Sequence, residues 1–217
     1  MGSELERQQL LKADVFGQVR RDGNFVIRET DHARPWARRI ARHLMSREYR
    51  ALSRLALGNG IEGIPRALSF ARSRLTREWI EGAPMQLARP SDPEYFRAAL
   101  RLLRRMHAAN VIHNDLAKET NWLVTADGKP ALVDFQLAMT VTKRGALARA
   151  LGYDDLRHLL KHKRTYLPAR LSAREKRILA RQSVVSRLWM STGKKVYLIV
   201  TRKILRWSDR EGAGDRS

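Results

Sequence analysis

The sequence predicts an α+β fold, with a strand-rich first third followed by a mostly helical remainder. Three observations lead there. Short apolar runs separated by turn signals occupy residues 15–80, an amphipathic helix is written over Tyr95 to Ala109, and Glu81-Gly82-Ala83-Pro84 interrupts the pattern between them as an interlobe linker would. At 217 residues the chain is long enough for one large domain or two small lobes around a shared core.

Taken in order, Val15-Phe16-Gly17-Gln18-Val19 and Asn24-Phe25-Val26-Ile27-Arg28 flank Asp22-Gly23 and read as a hairpin. Arg34 to Leu57 places Ile40, Leu44, Leu52 and Leu55 at helical spacing with many Arg between them, and Gly58-Asn59-Gly60 stops it. Ile64 to Phe70 and Leu75 to Ile80 read as two more strands. Ser91-Asp92-Pro93-Glu94 then supplies a capping side chain and a first-turn Pro for the helix that carries Leu100, Leu103 and Met106. Val111-Ile112-His113 enters a loop, and Trp122-Leu123-Val124 with Ala131-Leu132-Val133 forms a small hairpin about Asp127-Gly128.

Composition excludes several classes of function. With no Cys there is no disulfide framework, thiolate zinc site, iron–sulfur cluster or cysteine nucleophile, which agrees with a cytoplasmic setting. No secretory signal opens the chain and no apolar run is long enough to span a bilayer. The net charge is +21, and residues 140–217 alone hold 20 Lys+Arg against 6 Asp+Glu. Such an excess points to an anionic partner, namely a protein or ribosomal assembly, a phosphorylated glycan, or an anionic membrane touched peripherally from its inner face; a merely well-solvated surface is the plainer alternative.

The chemistry is concentrated in His113-Asn114-Asp115-Leu116-Ala117-Lys118-Glu119-Thr120-Asn121 and, after the hairpin, Asp134-Phe135-Gln136. Phosphoryl transfer from a nucleotide needs a carboxylate beside the acceptor hydroxyl and oxygen ligands for magnesium, and Asp115, Asn121 and Asp134 supply these groups. The Asp-Gly hairpin returns Asp134 to the end of the ribbon where Asn121 lies.

In this order and setting the motif resembles that of the protein-kinase superfamily, and most closely that of bacterial RIO-like serine/threonine kinases. The resemblance implies a bilobal protein-kinase-like fold: a small β-rich N-lobe over residues 1–82 with its hinge at 78–82, and a reduced helical C-lobe over 83–217. It implies ATP with Mg2+, or Mn2+ in its place, as cofactors. Gly17 matches the end of the glycine-rich loop, Arg28 the ATP-binding Lys, Glu48 its helix partner, and Glu78 and Ile80 the backbone positions that meet adenine. Asp115 would orient the acceptor, Lys118 would stand in for the catalytic-loop Lys that Ala117 replaces, and Asn121 and Asp134 would bind metal. The chain is also similar to lipopolysaccharide core sugar kinases.

Departures from the pattern define the alternatives. Arg28 is a planar, permanently charged fork where the family has a point charge. Asn121 lies six positions after Asp115 rather than five, Asn114 replaces the Arg of the catalytic loop, and Gln136 replaces the Gly after Asp-Phe. Only 83 residues follow Asp134, without Ala-Pro-Glu. An active RIO-like kinase is the leading reading. A sugar kinase and a non-catalytic adaptor are the others.

Several residues carry a plainer reading beside the functional one. Glu48 also suits an exposed pair with Arg47 or Arg50. His113 reads as a structural loop residue near the Asp134 turn. Asp155 is either an anchor beneath the catalytic loop or an acid near a helix N-terminus. His158 and His162, at metal-binding spacing but among Lys161, Lys163 and Arg164, read as a basic solvated face. Trp189, Tyr197, Ile199 and Trp207 interleave with Lys and Arg, as in an amphipathic lipid- or glycan-facing surface or a terminal helix packed on the C-lobe.

Overall fold

The computed structural model describes residues 8–143 and 145–181. The aromatic and basic C-terminal stretch around Trp189 to Trp207 lies outside them. Five antiparallel strands form the N-terminal sheet in the order β1 (Gln8–Asp14), β2 (Gly17–Asp22), β3 (Phe25–Glu29), β5 (Arg74–Glu78), β4 (Ala67–Phe70). Helix α1 (Arg38–Leu55) joins β3 to β4.

Strand β1 departs from expectation, because Val15 and Phe16 form the turn and the strand precedes them. Its residues gave no alternating signal for a physical reason. It is an edge strand with both Leu10 and Leu11 exposed and a register shift between Leu10 and Lys12, so neither face is buried and no period of two is imposed.

Register sets the chemistry of the sheet. Val26 lies opposite Arg77 and Arg28 opposite Leu75, so both Arg residues share the face that carries the buried Val26 and Leu75. That face meets α1. The helix has no side-chain N-cap, a loss of about 1 kcal/mol, but buries Ala41, Met45, Leu52 and Leu55. At about 1.5–3 kcal/mol for each large apolar side chain, burial outweighs the missing cap.

Beyond Glu78 the chain is mostly helical. β6 (Ala83–Pro84) pairs with β8 (Trp122–Val124), which pairs with β9 (Pro130–Leu132) around the expected Asp127-Gly128 turn. After the short α2 (Met85–Ala88), α3 (Pro93–Ala108) starts as its sequence predicts, with the Asp92 side chain accepting from the Glu94 N–H at 2.8 Å and Pro93 in the first turn. β7 (Val111–Ile112) bridges β10 (Met139–Thr140), and α4 (Ala146–Tyr166) and α5 (Ala173–Ala180) follow. Leu52 and Leu55 of α1, Tyr95, Leu103 and Met106 of α3, Trp122, Phe135, and Leu159 of α4 form one apolar core. The fold is α+β, bilobal and kinase-like, and α1 is built into the core of the helical part. Among the described residues, no helix is long and apolar enough to cross a membrane.

At Gly17 the backbone has φ +124°, and a Cβ would stand 2.1 Å from the Glu29 carbonyl oxygen. Gly17→Ala should therefore lower stability by on the order of 2 kcal/mol or more, measured as a shift of the urea midpoint at unchanged slope.

Candidate active site

The catalytic-loop segment is positioned from α4. Asp155, fully buried, accepts from the backbone N–H groups of His113 (2.9 Å) and Asn114 (3.0 Å) and lies 3.1 Å from His107 Nε2. Two turns along the same helix, His162 Nε2 donates to the Leu116 carbonyl at 2.8 Å. Asp155 is thus the anchor rather than a solvent-facing helix acid. His162 is buried against the loop instead of lying on a basic solvated face, and among the described residues no group of three or more His, Cys, Asp or Glu could hold a metal.

Asn114 takes positive φ (64°), and its side-chain amide donates to the Leu137 carbonyl at 3.1 Å. The extra residue between Asp115 and Asn121 is absorbed by one 3-10 turn, Glu119–Asn121. Asn121 Nδ2 then donates to the Asp115 backbone oxygen (2.8 Å) and to Oδ2 (3.0 Å), which leaves Asn121 Oδ1 as the side-chain atom that could accept a ligand. Lys118 Nζ sits 2.8 Å from Asp115 Oδ2. Asp134 is brought alongside because the Val133 N–H donates to the Asn121 carbonyl at 3.1 Å.

His113 is a structural residue. Fully buried, its Nε2 lies 3.0 Å from the Val133 carbonyl, so Nε2 carries the proton and Nδ1 is left without a partner among the described residues. Its ring packs on Phe135, 4.6 Å between centroids. Burial pushes the His113 imidazole below its ordinary value, against the pull of Asp155 and the Val133 carbonyl.

Across from this loop, Glu48 is completely buried and bracketed by two guanidinium groups. Arg77 Nε donates to Oε1 at 3.1 Å, and Arg28 Nε stands 3.0 Å from Oε2. The second contact is ionic only, since neither Arg28 Nε nor Glu48 Oε2 has a hydrogen-bond partner among the described residues. Arg28 Nη2 is 3.6 Å from Asp134 Oδ1. With its oxygen turned inward, the Gln136 carboxamide accepts from Arg28 Nη1 and Nη2. Burial pulls Arg77 below its ordinary value, Glu48 opposing this and Arg28 adding to it. Two carboxylates and two guanidinium groups make a charge-balanced cluster. The structure therefore brings together Arg28, Glu48, Asp134 and, through Val133, Asn121 and Asp115.

The other expected positions are held by separate contacts. Gly17 forms the end of the β1–β2 turn, where the Glu29 carbonyl alone accounts for its identity. Glu78 ends β5 and Ile80 follows it, and the Glu78 carbonyl accepts from Arg77 Nη1 at 3.3 Å. Both also line a cavity of about 930 Å³ with Arg66, Tyr95 and Lys129, a cavity that none of Arg28, Asp115, Asn121 and Asp134 lines.

A magnesium ion takes one or two protein oxygens and completes its shell with water and phosphate oxygens. Asn121 Oδ1 and the Asp134 carboxylate, which is 37% exposed, fit that requirement. The RIO domain matches residues 10–174 of the chain. This chain belongs to the RIO family. The family is kinase-related, so this RIO protein stands among the phosphotransferases. No curated protein matches the chain.

Sequence reasoning missed two parts of this RIO site, Arg77 and Gln136. A signal existed for the first, since Arg77 shares strand parity with the apolar Leu75 and so faces inward. Gln136 had none, because its contact depends on the length of the Arg28 side chain.

Two outcomes follow from the loop anchors. Asp155→Ala strands two buried N–H groups and should cost about 2–3 kcal/mol in urea unfolding. His113, His158 and His162 are all held below the ordinary value of 6.5, each chiefly by burial. Below pH 6.5 the unfolded chain then binds more protons than the folded one, so stability present at neutral pH is lost as pH falls. Glu94 and Glu175, depressed from 4.5, act only at lower pH. The melting temperature should decline between pH 7 and pH 5, and less steeply in His162→Gln.

Proposed function

We propose that this RIO protein is an ATP- and magnesium-dependent kinase that moves the γ-phosphoryl group to a Ser/Thr-type hydroxyl, with residues 1–82 as N-lobe and 83–217 as a reduced C-lobe. One observation carries the reading. The Asn121 amide is committed through nitrogen to Asp115, which turns its oxygen away from that contact, on the chain segment next to Asp134, and keeps the Asp115 carboxylate in the same cluster.

In the reaction the acceptor oxygen attacks the γ-phosphorus, the bond to the β–γ bridging oxygen breaks, and ADP leaves. Asp115 orients the hydroxyl and takes its proton. Lys118, paired to Asp115, stabilises the carboxylate before transfer and offers a cation to the moving phosphoryl group. Metal ions held by Asn121 and Asp134 would supply charge neutralisation of the triphosphate. Arg28, positioned by Glu48, would bind α- and β-phosphate oxygens, Glu78 and Ile80 would present backbone groups to adenine, and Gly17 would end the loop above the phosphates. The basic excess supports an anionic acceptor or assembly met in the cytoplasm, by way of a surface charged as residues 140–217 are.

The test is radiolabel transfer from γ-labelled ATP, or ADP release, by purified protein. Asp134→Asn should lower the rate by 100-fold or more, and Asp115→Asn by about 10²–10⁴-fold. Wild-type turnover that both variants match would overturn the assignment. Nucleotide binding without turnover would favour a non-catalytic adaptor.

A further inference from the structure

Two departures from the family pattern, Arg28 for Lys and Gln136 for Gly, meet in space. Turned oxygen-inward, the orientation its donor neighbours require, the Gln136 carboxamide accepts from both terminal nitrogens of Arg28, and that guanidinium lies 3.6 Å from Asp134 Oδ1. Without the Gln136 carboxamide nothing among the described contacts fixes the outer end of Arg28 except the Asp134 charge itself. At the inner end, Arg28 Nε has only a charge contact with Glu48, whereas Arg77 makes the hydrogen bond to that carboxylate. Arg77 is thus the resident counter-ion of Glu48. Arg28 can withdraw from Glu48 without leaving a buried carboxylate unpaired.

We propose that Arg28 is an exchangeable cation of the metal site: Gln136 steadies its guanidinium on Asp134, and a metal ion must displace it from that carboxylate. Gln136 is the positioning residue, and Arg77 makes the displacement tolerable. The proposal rests on Asp134 being a metal ligand, as in the proposed function. Its physical basis is competition between two cations for one carboxylate in a partly desolvated site, where an opposite charge within about 4–6 Å shifts a carboxylate's affinity for a proton by one to three decades, and for a metal in the same sense.

Direct binding of Mn2+ alone to the full chain tests this, followed by the loss of the free ion's EPR signal, with circular dichroism confirming that each variant is folded. Gln136→Ala changes no charge and should tighten Mn2+ binding several-fold. Arg28→Met should tighten it on the order of tenfold, and Asp134→Asn should weaken it in the wild-type background. Asp134→Asn weakening binding while Gln136→Ala stays at the wild-type value overturns the exchange, whatever Arg28→Met does, and leaves the metal-ligand assignment standing. Asp134→Asn without effect overturns both. Should Arg28→Met fail to fold, Gln136→Ala and Asp134→Asn decide the matter alone.

Discussion

The buried Glu48 carboxylate is the constraint on which the rest of the site depends. A carboxylate taken wholly out of water is tolerated only when paired, and breaking such a pair by removing one partner is strongly destabilising. Glu48 therefore dictates that α1 sit against the sheet face bearing Arg28 and Arg77. Once α1 is there, Arg47 reaches across to the carbonyls of Ala138 (3.1 Å) and Leu137 (2.8 Å), tying the helix to the segment that carries Asp134. One buried charge thereby couples the sheet, the helix and the segment carrying Asp134.

A second set of contacts, independent of the first, orders the loop opposite. Asp155 and His162 act on backbone groups of residues 113–116, so loop geometry depends on α4 and not on the loop's own side chains. The two systems meet where Asn114 and Arg47 both bond to the Leu137 carbonyl. Because these contacts are to main-chain groups, the arrangement is set as the chain folds.

Much of this was legible in the sequence. The strands after Gly17, the capped helix from Pro93, the Asp127-Gly128 hairpin and the proximity of Asn121 to Asp134 follow from periodicity, capping and turn chemistry, all local properties. Less legible were features fixed by tertiary contact. β1 is an edge strand that buries nothing on either face, so it left no pattern. His162, surrounded in sequence by Lys161, Lys163 and Arg164, looked solvated because neighbours along a helix point in different directions, and its own direction is toward the loop. Gln136 stands where the kinase pattern has Gly, yet Asp134, not residue 136, takes the positive φ of this turn. Sequence shows which freedom is lost, but not which neighbour gains from the side chain.

The guanidinium at position 28 also has a consequence for chemical labelling. An acylating reagent that needs a side-chain amine finds none at that position, which carries a guanidinium instead. The Lys118 amine, 2.8 Å from Asp115 Oδ2 and well exposed, is open to such a reagent. Under the function proposed above, a nucleotide-directed acylating reagent would report on the acceptor side of the site.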